Sequence, residues 1–374
     1  MVFLTFLTLV LVLVLLTLAP LLHFQAWWIR VWDFPRLQLA IMGAGFTLVS
    51  LCFSSQHGWA LVLALINAGC AAYQCWWIYP YTSFSPKQVK DHRGYSDAPR
   101  LRVMVSNVLT PNRQAARLLA QVQAEQPDVL IALETDHWWQ AQLDVLSADY
   151  PYSLKCPQDN LYGMHVYSRL PLKDAEIQFL VDDEIPSMHM LVQLDEQTDV
   201  RLHCVHPMPP SPTESDESTD RDAELVMVGK SVASAAQPVI VTGDLNDVAW
   251  SRTTQLFLKI SGLLDPRRGR GMFCTFHAGY PILRWPLDHV FHSQHFVLAG
   301  IRRLQNMGSD HFPILIDLVY APLKGQQQES LEKDAADEVE AREIMAATDS
   351  TADEVHVPGE PDKRPLGQVT GIAD

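Results

Sequence analysis

PVIVTGDLND, residues 238–247, decides the fold. Four β-branched residues, Val239 to Thr242, run unbroken and stop at Gly243, so a buried strand ends in a carboxylate and an amide two positions apart, Asp244 and Asn246. The same kind of ending recurs on both sides of it. LRVMVSN (101–107) stops at Asn107, DVLIALE (128–134) at Glu134 and VRLHCVH (200–206) at His206. Downstream, LDHVFHS (287–293) carries Asp288, and the last strand, FPILIDLV (312–319), follows Asp310 and His311. Ala115, Ala116, Leu118, Leu119 and Val122 mark one face of a helix between the first two strands. GMHVYS (163–168) and MHMLVQLD (188–195) add strands with no helix between them, which points to an α/β protein with mixed sheets.

Each polar ending has an ordinary reading when taken singly. Asn107 can close a turn, Glu134 can cap the next helix, and Asp244 with Asn246 can form an Asx turn. Five such endings in one chain are harder to dismiss. They gather carboxylates along one rim, where the charges would repel unless cations sat among them.

In chain order, SNV (106–108), LET (133–135), VHPMPP (205–210), GDLND (243–247), LDHVF (287–291) and SDHFP (309–313) resemble the endonuclease/exonuclease/phosphatase superfamily. These are divalent-metal phosphoesterases that include DNase I, abasic-site endonucleases, neutral sphingomyelinases and inositol-polyphosphate 5-phosphatases. The resemblance runs from Arg100 to about Tyr320. It implies an α/β fold, the four-layer αββα sandwich of DNase I, with the site at one edge of two stacked sheets. It also implies in-line attack of water on phosphorus assisted by Mg2+ or Mn2+. By the same resemblance Glu134 is the main metal carboxylate, Asn107 a ligand or the amide that orients it, and Asp310 a further ligand. Asp244 and Asn246 would position the attacking water and a phosphate oxygen. His311 and His206 would face the phosphate, with Asp288 holding the His311 tautomer. A nuclease-type phosphodiester substrate is slightly favoured, because the motifs suit nucleases and no lipid-specific feature stands out beyond the apolar N-terminus. Lipid or inositol phosphates are the alternative, and an inactive membrane scaffold is a third reading, opposed by the intact acids and histidines.

The other histidines, His137, His165, His189, His203, His277, His289, His292 and His295, match no motif position and read as packing or surface. Arg267, Arg268 and Arg270 read first as a solvated loop. They also lie just before LDHVF, where they could clamp a polyanionic substrate.

Outside this core the composition changes twice. Residues 2–22, 37–53 and 59–78 are uncharged apolar runs, long enough, or nearly so, to cross a hydrocarbon layer of about 30 Å. Residues 1–81 therefore read as a membrane anchor with three transmembrane helices, making the chain an integral, multi-pass protein of the inner or plasma membrane. Arg30 and Arg36 between the first two runs, and Lys87, Lys90 and Arg93 after the third, put the catalytic domain on the cytoplasmic side by the positive-inside bias. Residues 82–99 read as a linker and 100–322 as the phosphoesterase domain. PPSPTESDESTD (209–220) and residues 323–374 read as disordered, although a short helix around 332–345 is compatible with the pattern. From Lys324 onward there are 13 acidic and 5 basic residues, about half of the net charge of -15. The acidity therefore excludes a protein that coats DNA through clustered cations, but not an enzyme that meets phosphodiesters through metal ions.

Overall fold

The structure, a computed structural model, describes residues 2–55, 57–94, 98–233 and 235–361. The chain forms two compact units, one of residues 1–86, 209–218 and 268–271, the other of 87–208, 219–267 and 272–374.

The first unit is built from α1 (Val2–Leu18), the short α2 (Trp27–Arg30), α3 (Arg36–Cys52) and α4 (Gly58–Ile78). Phe3–Leu22 and Gly58–Tyr81 are long and apolar enough to cross a membrane, and Trp27–Asp33 with Arg36–Cys52 makes a third candidate bent by 71°. Pro35 lies at the break, where its ring ends one helix and starts the next, and Arg36 ties the two sides together. Its guanidinium donates to Asp33 at 2.5 Å and to Gln74 at 3.1 Å, and Gln74 donates to Thr17 at 3.3 Å, so one buried polar chain ties α1, α3 and α4. Polar side chains among apolar helices must find partners in this way. The insertion 209–218 is not the free loop its composition suggested. Trp27 N–H donates to Asp216 O, Ser218 N–H to Gln25 O and Ser211 N–H to Ser215 O, all at 2.9 Å, so backbone pairing substitutes for the missing apolar area.

The second unit holds two sheets. The strands are β1 (Arg100–Asn107), β2 (Val129–Leu133), β3 (Tyr152–Cys156), β4 (Met164–Ser168), β5 (Leu172–Gln178), β6 (Ser187–Gln193), β7 (Asp199–Cys204), β8 (Val239–Asp244), β9 (Asp288–His292), β10 (Phe296–Arg303) and β11 (Ile314–Tyr320). Their orders are β10-β11-β1-β2-β4-β3 and β5-β6-β7-β8-β9. Alternate residues of each strand, such as Val103, Val105, Ile131 and Ile316 in one sheet and Met190, Leu202 and Ile240 in the other, meet in one buried core between the sheets. The opposite face of the first sheet packs on α5 (Ala115–Glu125) and α6 (His137–Leu143) through Leu118, Val122 and Trp139. That of the second packs on α7 (Thr219–Val232) and α8 (Arg252–Ser261) through Leu225, Val228 and Phe257. The result is the expected αββα sandwich.

Two flanking expectations need correction. Within the presumed linker, Val89 is fully buried in the inter-sheet core, and residues 90–92 exchange backbone hydrogen bonds with Leu298 on the edge strand β10. The acidic tail is also ordered through residue 361. After the short α9 (Pro322–Gly325), α10 (Ala335–Ala347) lays Ala341 and Ile344 against Val226, Leu256 and Ile260. Its acids pair with cations of α7 and α8: Lys259 with Asp337 at 2.8 Å, Arg252 with Glu340 at 2.6 Å, Lys230 with Glu338 at 3.6 Å. Residues 354–360 then clasp β5 and β7 through Gln178, Asp174 and Arg201. A few well-placed aliphatics and matched charges achieve what average composition denied. Residues 362–374 of the expected disordered tail lie outside the described residues.

Candidate active site

Strand register assembles the site. β1 and β2 run parallel with Asn107 beside Leu133, so Glu134 falls one step beyond Asn107 on the same end of the sheet. β7 and β8 run parallel with Cys204 beside Thr242, which carries His206 and Asp244 to the matching end of the second sheet. β9 runs antiparallel to β8, with Asp288 directly opposite Asp244. Gly243 is required here, because a Cβ at its φ of +143° would lie 1.9 Å from Val205 O. Glu134 and Asn246 both adopt left-handed backbone, φ 59° and 51°, a strained conformation for residues with a side chain that is typical of functional turns.

The side chains form one connected set. His311 Nδ1 lies 2.8 Å from Asp288 Oδ2, and its Nε2 3.4 Å from Asp244 Oδ2. Burial would lower the His311 pKa, but the charges of Asp288 and Asp244 outweigh it and hold the imidazole protonated, with a pKa of about 10. Asp244 answers in the opposite sense. Burial would raise its carboxyl, but His311, His206, the Asn246 N–H and the Asn107 amide keep it below the ordinary value. Asn107 Nδ2 donates to Glu134 Oε1 at 2.6 Å and to Asp244 Oδ2 at 3.1 Å, bridging the two sheets. His206 Nε2 stands 4.0 Å from Asp244, and burial lowers its pKa to about 4, so this imidazole is neutral.

Glu134 fits a cation. Its Oε2 is buried without a hydrogen-bond partner, and burial pushes its pKa to about 8 despite the Asn107 hydrogen bond. A desolvated carboxylate of this kind gains most from a nearby positive ion. Asp310, half-buried, adds negative charge that acts on both Glu134 and His311. Among the described residues, ligand atoms of Asp244, Asp288 and His311 also come within 4.8 Å of one another. Both His311 nitrogens already face carboxylates, so this trio reads better as an imidazolium between two anions than as a cavity for an ion.

Two expected contacts are placed differently. Asn246 uses its side-chain amide on Pro207 O at 3.0 Å and its N–H on Asp244 Oδ1 at 3.0 Å, so it fixes the Asp244 carboxylate and the His206 loop. Arg267 is not available to substrate. It is buried, donates to Asp265 at 2.7 Å and to His289 Nδ1 at 2.6 Å, and braces the strand that carries Asp288. Its partner lies only two positions upstream, but burial of the pair arises from tertiary packing. Arg268 and Arg270 are half-buried and belong to the first unit, where Arg268 lies over the Tyr81 ring at 5.7 Å and Gly269 N–H donates to Pro80 O.

Two further residues outside the motifs support the site, one of them Arg221, a cation after the acidic insertion that also reads as a remote candidate for a substrate clamp. Arg221, fully buried on α7, donates to Asn246 O at 2.9 Å and lies 3.5 Å from Asp247, holding the GDLND turn. The Thr275 hydroxyl accepts the Asp288 N–H at 3.2 Å. Arg221 stands in sequence as a lone cation among acids just after the insertion, and Thr275 carries no signal of its own.

The sequence profile of the Endonuclease/Exonuclease/phosphatase family matches residues 104–311. A search of curated proteins finds no match. Among solved structures, the chain is similar to an endonuclease/exonuclease/phosphatase from Beutenbergia cavernae at 18% identity and TM-score 0.49, covering 60% of this chain and 72% of that one. It is similar to D. rerio TDP2 complexed with single strand DNA product at 17% identity and TM-score 0.49, covering 59% and 98%. The human Nocturnin catalytic domain with bound sulfate anion gives 17% identity and TM-score 0.49, covering 61% and 97%.

Proposed function

Because this chain belongs to the endonuclease/exonuclease/phosphatase family, whose profile spans more than half of it, we propose that it is a membrane-anchored, divalent-metal-dependent hydrolase of phosphodiesters. The observation that carries the reading is the buried His311 held between Asp288 and Asp244, one residue beyond Asp310, with Asp244 linked through Asn107 to Glu134, whose other oxygen is unpartnered. Mg2+ or Mn2+ held by Glu134 and Asp310 would withdraw charge from the bound phosphate. Asn107 orients Glu134 for this through its amide.

Asp244, ionised and aimed by the Asn246 N–H, accepts a proton from the attacking water. His311 donates from Nε2 to a non-bridging phosphate oxygen, where negative charge grows as the new O–P bond forms. Asp288 keeps that imidazole protonated and correctly turned. Neutral His206 offers a hydrogen bond and no charge. The opposite P–O bond breaks, its oxygen takes a proton from solvent, and the products are a monoester and an alcohol. The apolar helices of residues 2–81 hold the enzyme in a membrane, and the cations Arg30, Arg36, Lys87, Lys90 and Arg93 favour a cytoplasmic catalytic unit.

The full chain in detergent or nanodiscs should hydrolyse bis-p-nitrophenyl phosphate with Mg2+ or Mn2+ and stop when EDTA is added. Activity indifferent to chelator sinks the metal-dependent reading. A panel of plasmid DNA, RNA, sphingomyelin and phosphoinositides then ranks the substrates.

A further inference from the structure

One loop beside the site has no part in the chemistry above. Its neck is fixed: Thr275 and Phe276 N–H groups donate to Trp285 O at 3.0 Å, Phe312 N–H donates to Thr275 O at 2.9 Å, and Ala278 N–H donates to Asp310 O at 2.6 Å. The Phe276 ring lies 4.9 Å from that of His311. Beyond this neck the chain turns outward, and Tyr280, Ile282 and Leu283 are 58%, 77% and 45% exposed, with exposed Pro281 among them. Other exposed large apolar residues of the second unit, such as Val145, Leu161 and Leu323, are single positions along the chain among the described residues. Scattered apolar residues are normal on a protein surface, but three large ones within four positions of a loop tip make a concentrated apolar patch. The neck is cationic, since the Arg284 and Arg303 guanidiniums lie over the Phe312 ring at 5.0 and 4.4 Å, next to His311.

We propose that the tip Tyr280–Leu283 inserts into a lipid bilayer, so that the site beside it works on phosphodiesters borne by lipid headgroups. The inference rests on the phosphodiesterase reading above and gives it a substrate class. An apolar tip over an arginine neck matches the layering of a bilayer surface: aliphatic and aromatic groups enter the acyl boundary, and guanidiniums stay level with headgroup phosphates. Anionic lipids would strengthen the attraction. A bilayer is also at hand, because the same chain carries helices apolar enough to cross one. A nucleic acid would use the arginines but would gain nothing from Ile282 and Leu283.

The test uses the full chain in nanodiscs containing anionic lipid. Ile282→Cys labelled with a polarity-sensitive dye, against labelled wild type as background for the native cysteines, should shift to the blue and be quenched by nitroxide on the lipid chains. In parallel, Tyr280→Ser/Ile282→Ser/Leu283→Ser should lower hydrolysis of a headgroup phosphodiester in the same nanodisc at least tenfold. Its rate on soluble bis-p-nitrophenyl phosphate should stay within twofold. A dye that remains in an aqueous environment, or equal losses on both substrates, overturns the proposal. So does shielding of the dye that tracks protein concentration in detergent, which would assign the tip to a second copy. If wild type cleaves neither substrate, the phosphodiesterase reading fails, while the quenching still decides whether the tip meets lipid.

Discussion

His311 depends on groups that lie far from it in sequence. Its charge requires Asp288 on one nitrogen and Asp244 near the other, and both carboxylates are buried. His311→Ala and Asp244→Ala are each expected to lower kcat by at least about 100-fold, as loss of a transition-state donor or a general base does. Unchanged circular dichroism would show that the fold survives, and a near-wild-type rate would refute the assignment. Glu134 makes a second prediction. With its pKa raised to about 8, a proton competes with any cation, so apparent Mg2+ affinity should rise about tenfold per pH unit from pH 6 to 8 and then level off. Calorimetric titration at three pH values measures this, and pH-independent affinity would remove Glu134 as the ligand. Asn107, Glu134, Asp244, Asp288 and His311 were legible in the sequence because, although each alone has an ordinary turn or cap reading, their short motifs follow one another in the order of a known family. Arg267 was not. A cation two residues from an acid looks the same in sequence whether the pair is solvated or buried.

At the scale of elements, the tail helix α10 is where composition misled. Its apolar residues are few, yet Ala341 and Ile344 share a face that finds Leu256 and Ile260 already assembled. Ile344→Ala should destabilise the second unit by about 2–3 kcal/mol, near the lower end for emptying a buried isoleucine site. Thermal unfolding followed in detergent checks it, and an unchanged midpoint would return the tail to the solvent. The Asp265–Arg267 pair gives a companion test. Arg267→Met leaves Asp265 buried without its cation, and removal of one partner from a buried pair costs about 3–5 kcal/mol. A smaller loss would reopen the substrate role. Helices and strands were readable from periodicity, but a helix whose partner face is supplied by residues a hundred positions away leaves only a weak periodic trace of its own.

Across the second unit, buried neutral histidines lower stability as the pH falls. Burial lowers His203 and His289 to about 3 and His165 to about 4. Each folded value lies below the ordinary 6.5, so the unfolded chain takes protons first as pH falls. Stability is full above about pH 6.5 and declines toward pH 3, at about 2 kcal/mol per histidine by pH 5. His311 acts oppositely: its contribution is complete below about 6.5 and is lost only as pH rises toward 10, so it does not offset the acid limb. Glu134 and Glu224, raised to about 8 by burial, gain stability over the same fall in pH, so the test is a comparison: the unfolding midpoint of His203→Gln should fall less between pH 7 and 5 than that of wild type, and equal slopes would mean that this ring is not buried neutral. For the whole chain, a reporter fused after Asp374 should be active only in a cytoplasmic location. The sequence by itself determined the phosphoesterase family, the sandwich and the acids at its rim, because strand periodicity and short motifs are local and survive without knowledge of neighbours. Tertiary structure alone decided which arginine is buried, that the acidic tail packs, that His311 carries charge and that an apolar loop stands exposed beside it. Burial and electrostatic partnership are properties of what surrounds a residue, and the chain assembles those surroundings from distant segments.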